Sequence, residues 1–376
     1  MKTRDTHIPA LDGVRGLAIS MVLSFHLWQT YGEQTDLLQG NGILGFLSIG
    51  QKGVDLFFVL SGFLITGILL RTKKRPRYFM NFYTRRALRI FPLYYGVIIL
   101  CLFWGTYGGA AAYSFANIWP YFFYLQNIVR SFNLFPMGGP GHFWSLAVEE
   151  HFYLLWPLIV YVYSRKIIAM CCLFLIALSF LARLWMDSHQ FSSFGFTVCR
   201  VDSLAIGALL NIIYRSKAWP SFCRIVRSLA PAFCIMAGIL YFLLSGKSLV
   251  WVQSFKFVFF ALLAAVLIIL SLAPSRWNPL PRIMNQKQLC ELGKISYGLY
   301  IFHPFVFYPV IGNFIPFLEK NTKMSDTFLI FVGAAVSLAG SIVVAVLSYK
   351  YFELPFLRLK NRFGGYQSEL NKTLIK

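Results

Sequence analysis

Several ionisable side chains sit where an otherwise apolar sequence has little reason to carry them. Arg15 and His26 lie eleven residues apart in one apolar run. At about 100° per residue that spacing overshoots three full turns by about 20°, so on a helix both side chains leave from one face, about 16 Å apart along the axis. An imidazole held partway along such a run can take a proton from a hydroxyl or accept an acyl group. A guanidinium nearer the rim can grip phosphate. For this pair alone, a packing histidine with an anchoring arginine is an equally weighted alternative.

Other stretches repeat the pattern. Phe143-Trp144-Ser145-Leu146-Ala147-Val148-Glu149-Glu150-His151-Phe152-Tyr153 places Ser145, Glu149 and Tyr153 at four-residue steps, which makes one polar stripe on a helix. Glu150 and His151 beside it read equally well as interfacial and solvated. Arg86 and Arg89 are three residues apart and share a face, where two planar guanidiniums suit a phosphate-rich ligand such as coenzyme A. Binding of anionic lipid headgroups is the rival reading, and for Lys73, Lys74 and Arg75 it is the better one. Asp55 enters an apolar run about one turn deep, and Ser61-Gly62 in the same run permits close helix approach, so packing explains Ser61 at least as well as function does. Cys199-Arg200-Val201-Asp202-Ser203 reads as a local ion pair. Ser296, Tyr300 and His303 share a face. Asp55, Ser61, Tyr153, Tyr300 and His303 are thus candidates to line a polar path through an apolar bundle, because intramembrane polar groups are functional candidates by default.

The elements that must position these groups are membrane helices. The chain is 57% hydrophobic and 13% charged, with a mean hydropathy of +0.62, against about 25% charged residues in soluble chains. A net charge of +21 could suggest nucleic acid, but the charges cluster between apolar runs of membrane-crossing length, which removes that reading. Ten runs qualify: roughly 13–31, 53–70, 90–106, 146–164, 167–184, 198–214, 229–245, 250–273, 296–313 and 327–349. The aromatic stretch 115–135, broken by Pro120, reads as re-entrant or interfacial. With the N-terminus inside, 27 of the 35 Lys and Arg residues fall on inner segments and 5 on outer ones. That split predicts a multi-pass protein of the cell (inner) membrane with both termini cytoplasmic, residues 1–12 and 353–376 forming the ends. The expected fold class is an all-α polytopic bundle of about ten transmembrane helices, a single domain over 1–376 with no appended soluble domain. No cleavable signal peptide is expected. The seven cysteines show no CxxC pair and no Cys/His ligand spacing, so they read as packing residues and no metal is expected.

Taken together, the motifs resemble the acyltransferase family 3 membrane proteins, the O-acetylases of bacterial surface polysaccharides and related acyl carriers. The resemblance rests on Arg15 and His26 at their eleven-residue spacing, Gly-Val-Asp-Leu-Phe-Phe-Val-Leu-Ser-Gly-Phe from 53, and Arg-Arg-x-x-Arg-Ile-x-Pro at 85–92. It rests also on Trp-Ser-Leu-x-x-Glu-x-x-Phe-Tyr at 144–153, Arg-x-Asp-Ser at 200–203 and Ser-Tyr-x-x-Tyr-x-x-His-Pro at 296–304. The six runs are in order and span nearly the whole chain.

The resemblance implies transfer of an acyl group from cytosolic acyl-coenzyme A, with acetyl-coenzyme A favoured, to a hydroxyl of a carbohydrate or cell-envelope glycan. It makes His26 the essential histidine and Glu149 a second essential polar group, and it assigns Arg15, Arg86 and Arg89 to the coenzyme side. On this reading Glu149 orients the imidazole or stabilises its charged form. His151 stands where Gln is common in that pattern and takes no role. The implied partners are a glycan or lipid-linked sugar acceptor, membrane lipid, and a separate extracytoplasmic transferase where transfer is indirect. A transporter of lipid-linked sugars or acids is the rival of another class, and a macrolide or lipid hydroxyl is the rival acceptor.

Overall fold

The computed structural model describes residues 8–32, 43–108, 113–244, 250–273, 275 and 278–359. The two expected cytoplasmic ends therefore enter only from Ile8 and as far as Leu359. Lys2, Arg4, Lys247, Arg276 and the basic residues past 359 lie outside the described residues.

Each predicted run is a helix: α1 (Pro9–Gly32), α2 (Gly53–Thr72), α3 (Tyr78–Tyr107), α4 (Trp144–Val162), α5 (Arg165–Ser188), α6 (Thr197–Tyr214), α7 (Trp219–Leu244), α8 (Val250–Leu272), α9 (Lys287–Pro309) and α10 (Asp326–Leu347). Among the described residues, eight helices are long and apolar enough to cross a membrane, these being all but α4 and α7. In α4 the run Glu149-Glu150-His151 dilutes the apolar content, although the helix is of spanning length. The chain is an all-α, multi-pass membrane bundle. Helix α3 begins twelve residues before the predicted span, because the basic stretch through Arg89 is itself helical. The aromatic stretch 115–135 does not cross. It forms short turns of helix, Phe115–Ile118, Trp119–Phe123 and Gln126–Ser131.

The helices approach closely where glycine removes the side chain. A Cβ at Gly62 of α2 would sit 1.9 Å from the Leu204 carbonyl oxygen of α6, and one at Gly207 of α6 would sit 1.9 Å from that of Val59. Gly16 of α1 and Gly293 of α9 make the same reciprocal contact, against Leu289 and Asp12 carbonyls. Packing replaces the hydrophobic effect as the driving force between helices in lipid, so backbone contact of this kind is how two membrane helices gain adhesion. Outward, α3 exposes Ile99, Leu100 and Phe103, and α5 exposes Met170, Leu173 and Phe174, as lipid-facing surfaces require.

Buried ion pairs fasten a second set of helices. Arg200 of α6 donates from Nη2 to Asp55 Oδ1 of α2 at 2.6 Å, and Arg183 of α5 donates from Nη1 to Asp202 Oδ2 of α6 at 2.8 Å. All four side chains are essentially sealed from solvent. The local Arg200–Asp202 pair read from sequence is therefore corrected. Residues two apart on a helix project about 200° from each other, so each finds its partner on a different neighbour. Phe257 of α8 completes the cluster, with the Arg200 guanidinium 4.3 Å and the Lys52 ammonium 4.7 Å from its ring centre.

Candidate functional site

The polar stripe of α4 faces inward along its length. Tyr153 hydrogen-bonds Ser61 of α2, and the Glu149 carboxyl group lies against both hydroxyls. The Arg86 guanidinium lies 5.8 Å from the centre of the Tyr153 ring and within electrostatic reach of Glu149 and Glu150. One turn further along, Ser145 meets Tyr300 of α9 at 2.5 Å. Tyr300 also reaches the His142 carbonyl oxygen at 2.5 Å. A carbonyl can only accept, so the phenol proton goes to His142 and the Ser145 hydroxyl donates to Tyr300.

At the end of the bundle where α1 and α3 begin, three arginines converge. Arg15 pairs with Asp12 one turn earlier on α1, and Arg86 and Arg89 of α3 lie within electrostatic reach of Arg15. Three guanidiniums with one paired carboxylate make a concentration of positive charge fit for a polyanionic ligand.

Toward the other end the histidines gather. His26 donates from Nδ1 to the Val22 carbonyl at 2.9 Å, one turn back on its own helix. Because that carbonyl can only accept, Nδ1 carries the proton and Nε2 is left with a bare lone pair. His303 does the same against Leu299 at 3.0 Å, and its buried Nε2 has no hydrogen-bond partner. The His26 and His303 rings meet edge to face with centroids 4.6 Å apart, and His142 lies 5.3 Å from His303. His142 donates from Nε2 to the Ile301 carbonyl at 3.1 Å. It lies in the connection before α4. Burial, with the positive charge of Arg130 nearby, holds its pKa down at about 3, so the ring is neutral at physiological pH.

The His26 and His142 rings border a cavity of about 930 Å³ that Tyr300 also helps to line. Val22 and Phe25 of α1, Val97 and Trp104 of α3, and Phe302 and Phe305 of α9 supply apolar wall. The 113–142 connection folds over it, anchored by Gln126, whose side-chain amide donates to the Phe143 carbonyl at 2.9 Å, and by Tyr94, which donates to the Tyr121 carbonyl at 2.8 Å.

The structure thus joins Arg15 with Arg86 and Arg89, and it joins Ser61, Glu149 and Tyr153 in a second group. His26 and His303 form a third group, which Tyr300 bridges to the second, since Tyr300 lies within electrostatic reach of Glu149 and in ring contact with His303. His26 and Glu149 are not hydrogen-bonded to each other; the imidazole is oriented by Val22. Asp55 stands apart from the path, committed to Arg200. His151 bonds Thr197 of α6 at 2.7 Å and ties two helices together. Sequence reasoning missed His142 and Arg130 as cavity residues. His142 lies two residues before the Trp144 motif, close enough that the motif's neighbourhood was the available signal. Arg130 was one outer charge among several. Among the described residues no group of His, Cys, Asp and Glu could hold a metal ion.

The family model described as "Acyltransferase domain" matches residues 8–348. The peptidoglycan O-acetyltransferase OatA of Listeria monocytogenes is 28% identical over 96% of this chain and 57% of its own length. YrhL of Bacillus subtilis is 30% identical over 98% of this chain and 57% of its own. The O-acetyltransferase OatA of Staphylococcus aureus is 27% identical over 93% and 57%. This chain therefore spans about 57% of the length of the curated relatives it matches. No solved structure matches it.

Proposed function

This chain belongs to the acyltransferase domain family, and on that premise we propose that it transfers an acyl group, acetyl by preference, from acyl-coenzyme A to a hydroxyl of a cell-envelope glycan. The observation that carries the reading is the position of His26. Its ring lines the cavity with Nε2 unprotonated, while its own helix carries Arg15 into the arginine cluster at the opposite end.

The donor's phosphates bind at Arg15, Arg86 and Arg89, and its thioester extends toward the histidines. The acceptor hydroxyl enters the cavity. His26 Nε2 removes the hydroxyl proton as the oxygen attacks the thioester carbonyl carbon, giving a tetrahedral intermediate. Collapse breaks the carbon–sulfur bond, and the coenzyme thiolate takes the proton back from His26. In the alternative order His26 attacks first and an acyl-imidazole passes its acyl group to the hydroxyl. The same residues serve both routes. Glu149 balances the charge of Arg86 and, with Ser61 and Tyr153, fixes the boundary between the two ends. The names of the relatives support a glycan acceptor, and the arginine cluster supports a polyphosphate donor entering from the cytosol at the inner membrane.

The test is acyl transfer by purified protein. With labelled acetyl-coenzyme A and peptidoglycan fragments, product forms and depends on His26. Transfer that survives His26→Gln at wild-type rate, or a purified protein that moves solute without cleaving thioester, overturns the reading in favour of another catalytic group or of transport.

A further inference from the structure

Among the described residues, the cavity is lined by one arginine and by no carboxylate. Arg130, from the short helix Gln126–Ser131, lines the wall. Its Nη2 donates to the Tyr121 hydroxyl at 3.1 Å and to the Gly138 carbonyl at 3.2 Å, both uncharged. Its buried Nε has no hydrogen-bond partner among the described residues. Nη1 makes no hydrogen bond among the described residues and lies 3.0 Å from where a Cβ on Gly141, another lining residue, would be.

The rest of the lining sharpens the contrast. No Asp or Glu occurs among the described lining residues. Gln29, Gln51, Asn127, Ser131 and Ser192 add neutral polar groups to the same lining. Arg183 and Arg200, which are sealed within the bundle, each hold a carboxylate. Arg130 has none among the described residues. A guanidinium recessed in protein without a counter-charge is unfavourable unless a ligand supplies one, and its planar fork matches an oxyanion in two-point contact. His142 lies within electrostatic reach of both Arg130 and His26, so an anion held at Arg130 stands one imidazole away from the proposed base.

We propose that this cavity selects acceptors bearing an anionic oxygen group, a carboxylate or a phosphate, which Arg130 binds so that a neighbouring hydroxyl is presented to His26. The inference rests on the acyl-transfer reading for its second half, and its first half is a binding claim that stands apart from turnover.

The experiment uses the full chain purified in detergent and three sugar probes: N-acetylmuramic acid, its carboxamide, and N-acetylglucosamine 1-phosphate. Calorimetric titration measures binding, and labelled acetyl-coenzyme A measures transfer to each. The carboxylate is expected to bind about 10- to 100-fold more tightly than the carboxamide, the range of one charge-assisted contact. Arg130→Gln erases that difference without changing carboxamide binding, and Arg130→Lys restores part of it. A phosphate preference over carboxylate, lost in the same variant, supports the site and identifies a phosphorylated sugar as its source. Equal binding of carboxylate and carboxamide by the native protein overturns the proposal. So does an equal loss for both probes in Arg130→Gln, which would mean that Arg130 only holds Tyr121 and Gly138 in place. Arg130-dependent anion binding without acyl product would leave the site standing and sink the transfer reading; transfer without anion preference would do the reverse.

Discussion

Two regions of buried charge divide the bundle, and they are organised on opposite principles. Between α2, α5 and α6, two sealed acids each meet an arginine, Asp55 with Arg200 and Asp202 with Arg183, and the Phe257 ring lies against Arg200. Between α1, α3, α4 and α9, cations crowd together as Arg15, Arg86 and Arg89, and the imidazoles of His26 and His303 keep a nitrogen bare. Ionisable groups in a membrane are costly in both places. Where each charge meets one opposite charge in a sealed pair, the pair fastens helices; where like charges crowd together beside unprotonated imidazole nitrogens, the groups suit something that arrives from outside. The distinction explains why Asp55, which looks like a path residue in the sequence, belongs with the architecture.

Substitutions on the two sides of that divide should separate activity from stability. His26→Ala is expected to lower acyl transfer by about 10²- to 10⁴-fold, the usual contribution of a positioned general base, while thermal unfolding in detergent stays as in the native protein. Near-native transfer by this variant would erase the distinction. Asp55→Ala should do the opposite and destabilise the fold by about 3–5 kcal/mol, because Arg200 is left buried without its counter-charge. Replacing both, as Asp55→Ala with Arg200→Met, should recover most of that loss in denaturant titrations. An Asp55→Ala protein as stable as the native one would mean that the pair does not fasten α2 to α6. Arg86→Ala and Arg89→Ala should each raise KM for acetyl-coenzyme A about 10- to 100-fold with kcat little changed, and added salt should shrink the difference. A fall in kcat alone would move these arginines from binding into the chemistry. The smallest effect belongs to Trp156→Phe, which removes the 2.8 Å hydrogen bond from the indole to Thr66 between α4 and α2. It should cost about 1 kcal/mol of stability and leave steady-state transfer untouched.

How much of this was legible in the sequence follows the same divide. Periodic and local features could be read directly. Arg15 and His26 share a helix by spacing, the Ser145–Glu149–Tyr153 stripe follows from four-residue steps, and all ten helices follow from apolar length. Contacts between distant segments could not. Arg200 and Asp202 are near neighbours in the chain, yet their partners come from α2 and α5, and the choice depends on how three helices are rotated against one another. His26 and Glu149 both looked catalytic and invited pairing, but the Val22 carbonyl one turn away competes for the imidazole proton and wins. The outer connection was opaque for another reason. Its short helical turns have no long period to announce them, so Arg130 and His142 become cavity residues only once 113–142 is folded over α3 and α9.

The central claim is that donor and acceptor meet from opposite ends of the bundle, at His26. Protein reconstituted in one orientation in sealed vesicles tests it directly, with labelled acetyl-coenzyme A confined to the arginine-cluster side and a peptidoglycan fragment confined to the cavity side. The account predicts labelled fragment in this arrangement, little when the two compartments are exchanged, and none with His26→Ala. Product that forms only when donor and acceptor share one side of the membrane would contradict it.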